Sequence, residues 1–118
     1  MKKTEKELTK SLKGLAGVHS IFLFGSQASG HARPDSDYDY CIVEQPEKDS
    51  KMSFKQKLKI MSLAGKKTDL SLFHDLPLDI RMRVFHGKLL YTQNYEYVLQ
   101  LFKQTSDEYT GYKYFKKE

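Results

Sequence analysis

Four large apolar residues in succession, Ile21-Phe22-Leu23-Phe24, stop abruptly at Gly25. The run is too short for a lone helix and shows no polar alternation, so Ser20 to Phe24 reads as a strand buried on both faces. A strand of that kind belongs inside a sheet with something packed on each side. The chain has 118 residues, room for one core, and residues 1–118 are expected to form a single domain.

The remaining pattern alternates helices and strands. Thr4-Glu5-Lys6-Glu7 spells a capping box ahead of Leu8, Leu12 and Leu15, with Gly17 as a stop, which predicts a first helix. Residues 25–36, with two glycines, a proline and small polar side chains, read as a turn, at most one helical turn, and a loop. Tyr38 to Val43 is the second strand; its period of two puts Asp37, Asp39 and Cys41 on one face and Tyr38, Tyr40 and Ile42 on the other. Phe54, Leu58 and Met61 mark an amphipathic helix closing near Gly65. Thr68 to Phe73 is a third strand, with Leu70 and Leu72 on one face and Asp69, Ser71 and Phe73 on the other. A helix begins at Pro77, lined by Leu78, Met82 and Phe85 and ended by Gly87. Lys88 to Tyr91 is extended, and a last helix carries Tyr95, Val98, Leu99 and Phe102.

The chemistry concentrates where the first strand meets the second. Gly25-Ser26 is followed by ten residues and then by Asp37-Tyr38-Asp39. Glycine lets a phosphate approach the backbone, and the serine hydroxyl and following amides can donate to its oxygens. Asp37 and Asp39, spaced i, i+2 on a strand, set two hard oxygen ligands side by side, an arrangement suited to magnesium that also keeps water and substrate phosphate. Asp69 is an acid bracketed by Leu70 and Leu72, and metal ligation would explain it. If the third strand neighbours the second, the three carboxylates can hold two Mg²⁺ ions about 4 Å apart for in-line displacement at phosphorus. The plain alternatives are a turn after a strand for Gly25-Ser26, a solvated strand end for Asp37 and Asp39, and a surface acid for Asp69.

These residues resemble the minimal nucleotidyltransferases of the polymerase β-like nucleotidyltransferase superfamily. The match is Phe24-Gly25-Ser26, the ten-residue spacing, Ser36 before Asp37-Tyr38-Asp39, Thr68-Asp69-Leu70, and the later Phe85-His86-Gly87-Lys88-Leu89-Leu90-Tyr91 stretch. The resemblance implies an α+β nucleotidyltransferase fold, a small mixed sheet flanked by helices, moving a nucleoside monophosphate from a triphosphate. It implies that Gly25 and Ser26 grip the triphosphate, that Asp37 and Asp39 bind Mg²⁺, and that Asp69 completes the metal site and assists the nucleophile. ATP as substrate comes from the resemblance alone. Many relatives carry an arginine in the turn; here it reads Gly25-Ser26-Gln27-Ala28-Ser29-Gly30, which leaves two expectations, that Arg33 replaces the charge or that triphosphate binding is weaker.

Relatives that act on antibiotics or nucleic acid ends usually add an acceptor domain, and none fits in this length. Members this small resemble the antitoxin halves of two-component modules whose partner is a helical HEPN toxin. The expected activity is therefore transfer of AMP from ATP to a tyrosine hydroxyl of that partner. The rivals are a small-molecule nucleotidyltransferase of the aminoglycoside kind, working as a homodimer, and a non-catalytic module that blocks a toxin by contact.

Composition agrees with a partner-binding globular protein. Lys and Arg exceed Asp and Glu by 20 to 15, a net +5 that favours polyanions or acidic protein surfaces. Lys48, Lys51, Lys55 and Lys59 fall near one helical stripe, read either as a hydrated face or as a steering patch. Tyr109, Tyr112, Tyr114 and Phe115 cluster after the last helical stripe, either folding back on the core or meeting a partner. His19, His31, His74 and His86 have no zinc-like spacing, and Asp35 reads as a loop acid. The lone Cys41 excludes an internal disulfide and reads as a small buried hydrophobe. No apolar run approaches the ~20 residues that span a bilayer, and no apolar stretch follows the lysines at the start, so a cytoplasmic protein is expected.

Overall fold

The computed structural model describes residues 2–30, 37–46, 53–65 and 67–116. His31, Arg33, Asp35, Ser36, Lys48 and Lys51 lie outside the described residues, as do the side chains of Tyr112, Tyr114 and Phe115. The elements run α1 (Lys2–Lys13), β1 (Val18–Phe24), α2 (Ser26–Ser29), β2 (Tyr38–Glu44), α3 (Phe54–Met61), β3 (Thr68–Leu72), a 3-10 turn (Phe73–Asp75), α4 (Leu78–Phe85), β4 (Lys88–Thr92) and α5 (Tyr95–Lys116).

The strands form one mixed sheet in the order β3-β2-β1-β4. β1 pairs antiparallel with β2 and with β4, whereas β2 and β3 run parallel. The sheet's two faces carry separate apolar clusters, as the period of two requires. On one, Ile21, Leu23, Tyr40, Ile42, Leu70 and Leu72 pack with Leu8 and Leu12 of α1 and Ile60 of α3. On the other, Phe22, Cys41 and Val43 pack with Phe73, Val84 of α4, and Val98 and Leu101 of α5. This is the α+β arrangement that the resemblance implies, a small mixed sheet flanked by helices, with the apolar run of β1 covered on both sides.

Several helical details differ from the sequence reading. α1 begins at Lys2, so Thr4 lies inside the helix rather than capping it; Lys2, Lys3 and Glu5 are good helix formers and nothing there stops the chain. α3 turns the stripe of Phe54, Leu58 and Met61 outward, Phe54 to 75% exposure, and buries Ile60 instead. α5 likewise buries Val98, Leu101 and Thr105 while Tyr95, Leu99 and Phe102 are exposed. Both helices carry apolar residues on more than one face, and periodicity alone cannot say which face meets the sheet. The aromatic tail is not a separate segment, because α5 continues through it to Lys116. His19 lies within β1 rather than ahead of it, buried, with Nδ1 bonded to Ser20 Oγ at 2.7 Å and its ring edge-on to Tyr97. Ser20 in turn donates to Thr92 Oγ1 at 2.8 Å, tying β1 to β4.

Two contacts lock α4 against the sheet. Phe85 meets Phe22, Phe73 and Phe102 edge-to-face at 5.2–5.6 Å between centroids. Gly87, just after the helix, passes so close to β1 that a Cβ there would overlap the Leu23 carbonyl oxygen and approach the Phe24 Cα to 2.9 Å. Both obstacles are backbone and cannot swing aside. Gly87→Ala is therefore expected to destabilise the domain by about 1–3 kcal/mol, seen as a lower urea midpoint at unchanged slope. An unchanged midpoint would mean that α4 is not held in this way.

Candidate active site

β1 ends at Phe24, and the path of the chain beyond the strand is dictated by Gly25. Its φ of 77° and ψ of −158° lie in a region open essentially to glycine alone. The bend starts the single helical turn α2, closed by the Ala28 amide donating to the Gly25 carbonyl and by Gly30 in the left-handed region. Gly25 also leaves room for a carboxylate: a Cβ would stand 2.5 Å from Oδ2 of Asp39, which would have to shift. Phe24 and Asp39 are register partners, so the end of β1 and the carboxylate of β2 are brought together by ordinary antiparallel pairing.

Parallel pairing of β2 and β3 then adds the third acid. Tyr38 donates its amide to the Lys67 carbonyl at 2.7 Å, and from that bond the register runs Tyr38 with Thr68, Asp39 with Asp69 and Tyr40 with Leu70. Lys67 takes a positive φ of 62°, a strained value for a lysine, as the chain turns into β3. Asp39 and Asp69 thus share a rung on adjacent strands, and Asp37 stands two residues before Asp39. Asp39 is half-buried, while Asp37 and Asp69 are exposed. Burial, then the charges of Asp69 and Asp37, push the Asp39 carboxyl above the ordinary carboxylate range.

The three acids are therefore neighbours in electrostatic terms, yet among the described residues no three acidic, histidine or cysteine side chains converge closely enough to hold a metal ion. The donor set itself suits a hard divalent cation: carboxylate oxygens only, mutually repelling, with two of the three side chains exposed to solvent. Gly25 and Ser26 stand at the same end of the sheet, as the sequence reading expects. Cys41 follows Asp39 on the same face but is sealed in the core, and burial raises its thiol pKa far beyond any use as a nucleophile.

A cleft of about 390 Å³ opens beside Asp39, within the size range of ligand sites though at its small end. One wall is Phe24, Gly25, Ala28 and Asp39; the other is Ile80, Arg83, His86 and Gly87 from α4 and its end. The α4 wall was missed from sequence. Arg83 is one of two arginines on α4 and His86 is the C-cap residue after it, and nothing in their spacing points to the site; only the Gly87 contact, which brings α4 to the end of β1, reveals them. His74 faces elsewhere: it bonds Glu44 at 3.0 Å, and although burial alone would raise the Glu44 carboxyl, the hydrogen bond and charge of His74 bring it below its usual range.

Comparison with known proteins agrees with this fold. Residues 6–96 match the family model described as Polymerase beta, Nucleotidyltransferase. No curated protein matches the sequence. Among solved structures, the chain is similar to one in a toxin-antitoxin crystal structure with AMP-PNP, at 18% identity and a TM-score of 0.70, covering 98% of this chain and 91% of that one. It is equally similar to a chain of the toxin-antitoxin MntA-HepT, at 17% identity and TM-score 0.70, over 99% and 93% of the two chains. A third, from tri-AMPylated Shewanella oneidensis HEPN toxin in complex with MNT antitoxin, shares 15% identity at TM-score 0.65, over 97% and 92%.

The crowding of acids has a measurable cost. A carboxyl whose pKa is raised by folding binds protons more tightly folded than unfolded, so its ionisation subtracts stability as pH rises from the unfolded value through the folded one. Without divalent cations, Asp39→Asn is expected to be more stable than the wild type at pH 7, the difference shrinking toward pH 3, in urea denaturation with a chelator present. A variant less stable than wild type at pH 7 would contradict this electrostatic account.

Proposed function

Because this chain belongs to the polymerase beta nucleotidyltransferase family, we propose that it is a Mg²⁺-dependent enzyme that transfers AMP from ATP to a tyrosine hydroxyl of a helical HEPN-type partner, silencing it as an antitoxin. The observation that carries the catalytic part is the shared rung of Asp39 and Asp69 beside Gly25, with Asp37 next to it. The donor and acceptor are supported by the structural relatives, one of which holds AMP-PNP and another an AMPylated HEPN toxin. A protein acceptor also fits α5, whose Tyr95, Leu99 and Phe102 expose apolar surface that a partner could cover.

In this reading Gly25 admits the polyphosphate close to the backbone, where any side chain would strike Asp39, and Ser26 grips it. Asp37, Asp39 and Asp69 hold the divalent cation. Bound there, magnesium neutralises phosphate charge and favours the ionised hydroxyl. Asp69, exposed and paired with Asp39 on the neighbouring strand, assists the attacking group by accepting its proton. The hydroxyl oxygen bonds to the α-phosphorus, the bond from that phosphorus to the bridging oxygen breaks, and pyrophosphate leaves in line. The cleft is small, so the acceptor arrives from outside it, on the partner.

Incubation with α-labelled ATP, Mg²⁺ and the co-purified partner tests the proposal. Label is expected on a partner tyrosine, and Asp37→Ala is expected to lower the rate about 100-fold or more. Label on a small acceptor alone, or a tight complex never labelled, would refute transfer to protein; an undiminished rate in the variant would refute the role of Asp37.

A further inference from the structure

α4 carries two arginines that differ completely in what they do. Arg81 is tied down: Nε donates to the Leu76 carbonyl at 3.0 Å, Nη2 to the His74 carbonyl at 2.8 Å, and the guanidinium lies over the Phe73 ring. Arg83 is exposed, borders the cleft, and its side chain makes no hydrogen bond or ion pair among the described residues. It is also the one permanently charged cation among the cleft's lining residues, which include Asp39. The turn from Gly25 to Gly30 contributes no positive charge of its own.

The backbone that carries Arg83 is nonetheless held in place. The Phe85 ring contacts hold one side of α4, and the close passage of Gly87 beneath β1 fixes the end of the helix at Leu23 and Phe24, next to Gly25. The last turn of α4 is thereby held opposite the glycine bend. His86, whose Nδ1 bonds the Met82 carbonyl at 3.1 Å, lies beside it on the same wall. A ligand filling this cleft meets carboxylate at one side and guanidinium at the other. A magnesium-bound polyphosphate matches both, because its metal answers the acids and its remaining anionic oxygens need a cation.

We propose that Arg83 is the residue that binds the polyphosphate of the nucleotide, reaching across the cleft from α4 to the phosphates held at Gly25. This rests on the nucleotide-transfer reading above. The planar fork of the guanidinium suits bidentate contact with phosphate oxygens, and a lysine keeps the charge but loses the fork. The competing explanation is that Arg83 merely complements the dipole at the end of α4, which would affect stability and not ligand affinity.

Calorimetric titration with Mg²⁺ and an ATP analogue whose α,β bridge cannot be cleaved distinguishes these. Arg83→Gln is expected to weaken binding about 10- to 100-fold, the worth of a charge-assisted hydrogen bond to phosphate, with the thermal midpoint of the free protein unmoved. Arg83→Lys should recover at least about threefold of that loss, and wild-type affinity should fall more steeply with salt than that of Arg83→Gln. Wild-type binding with Arg83→Gln within about twofold of it, or Arg83→Lys no better than Arg83→Gln, would overturn the assignment alone. Failure of the wild type to bind the analogue would overturn this assignment and the nucleotide-transfer reading together.

Discussion

The in-register parallel pairing of β2 with β3 is the constraint on which the rest of this molecule depends. It sets Asp39 against Asp69 on one rung, with Asp37 two residues before Asp39, a concentration of like charge that a fold selected only for stability would avoid. The pairing is anchored by the short Tyr38 to Lys67 backbone bond and by Leu70 and Leu72 beneath, which join the apolar cluster of α1 and α3. Hydrophobic burial on one face thus holds carboxylates together on the other. The same period of two that sends Tyr40 and Ile42 inward sends Asp39 toward α4.

Glycine supplies the second requirement, close approach, at two points of a single corner. At Gly25 the absence of a Cβ leaves room for the Asp39 carboxylate; at Gly87 it lets α4 come down onto the end of β1. Between these contacts lies the cleft, with carboxylate on the sheet and guanidinium on the helix. Its shape follows from backbone packing at Gly87 and from the aromatic contacts of Phe85.

The strands and the acids were legible in the sequence because their signals are local. An uninterrupted apolar run, a period of two and a glycine stop place β1, β2 and β3 to within two residues, and the spacing of Gly25-Ser26 to Asp37 and Asp39 singles out the corner where they meet. The helix faces were less legible. Phe54, Leu58 and Met61 form a convincing stripe, yet Ile60 is the residue that reaches the core; Tyr95 and Leu99 look equivalent to Val98, yet only Val98 is buried. Which stripe turns inward depends on the loop that delivers the helix, and periodicity does not encode it. Arg83 and His86 escaped for a related reason: their role is set by a tertiary approach forty and more residues away from Asp39 along the chain, with no pattern of their own.

The central claim is that three carboxylates from two neighbouring strands bind a divalent cation beside the glycine bend. Crystals grown with Mn²⁺ and a non-hydrolysable nucleotide test it directly, since the anomalous signal of manganese locates the ion without assumption. The account predicts an ion about 2.0–2.3 Å from carboxylate oxygens of Asp37 and Asp39, with a phosphate oxygen in its shell and Asp69 within reach of the same site. Manganese bound elsewhere, or nucleotide bound with Asp37 and Asp39 turned away from every ion, would contradict it.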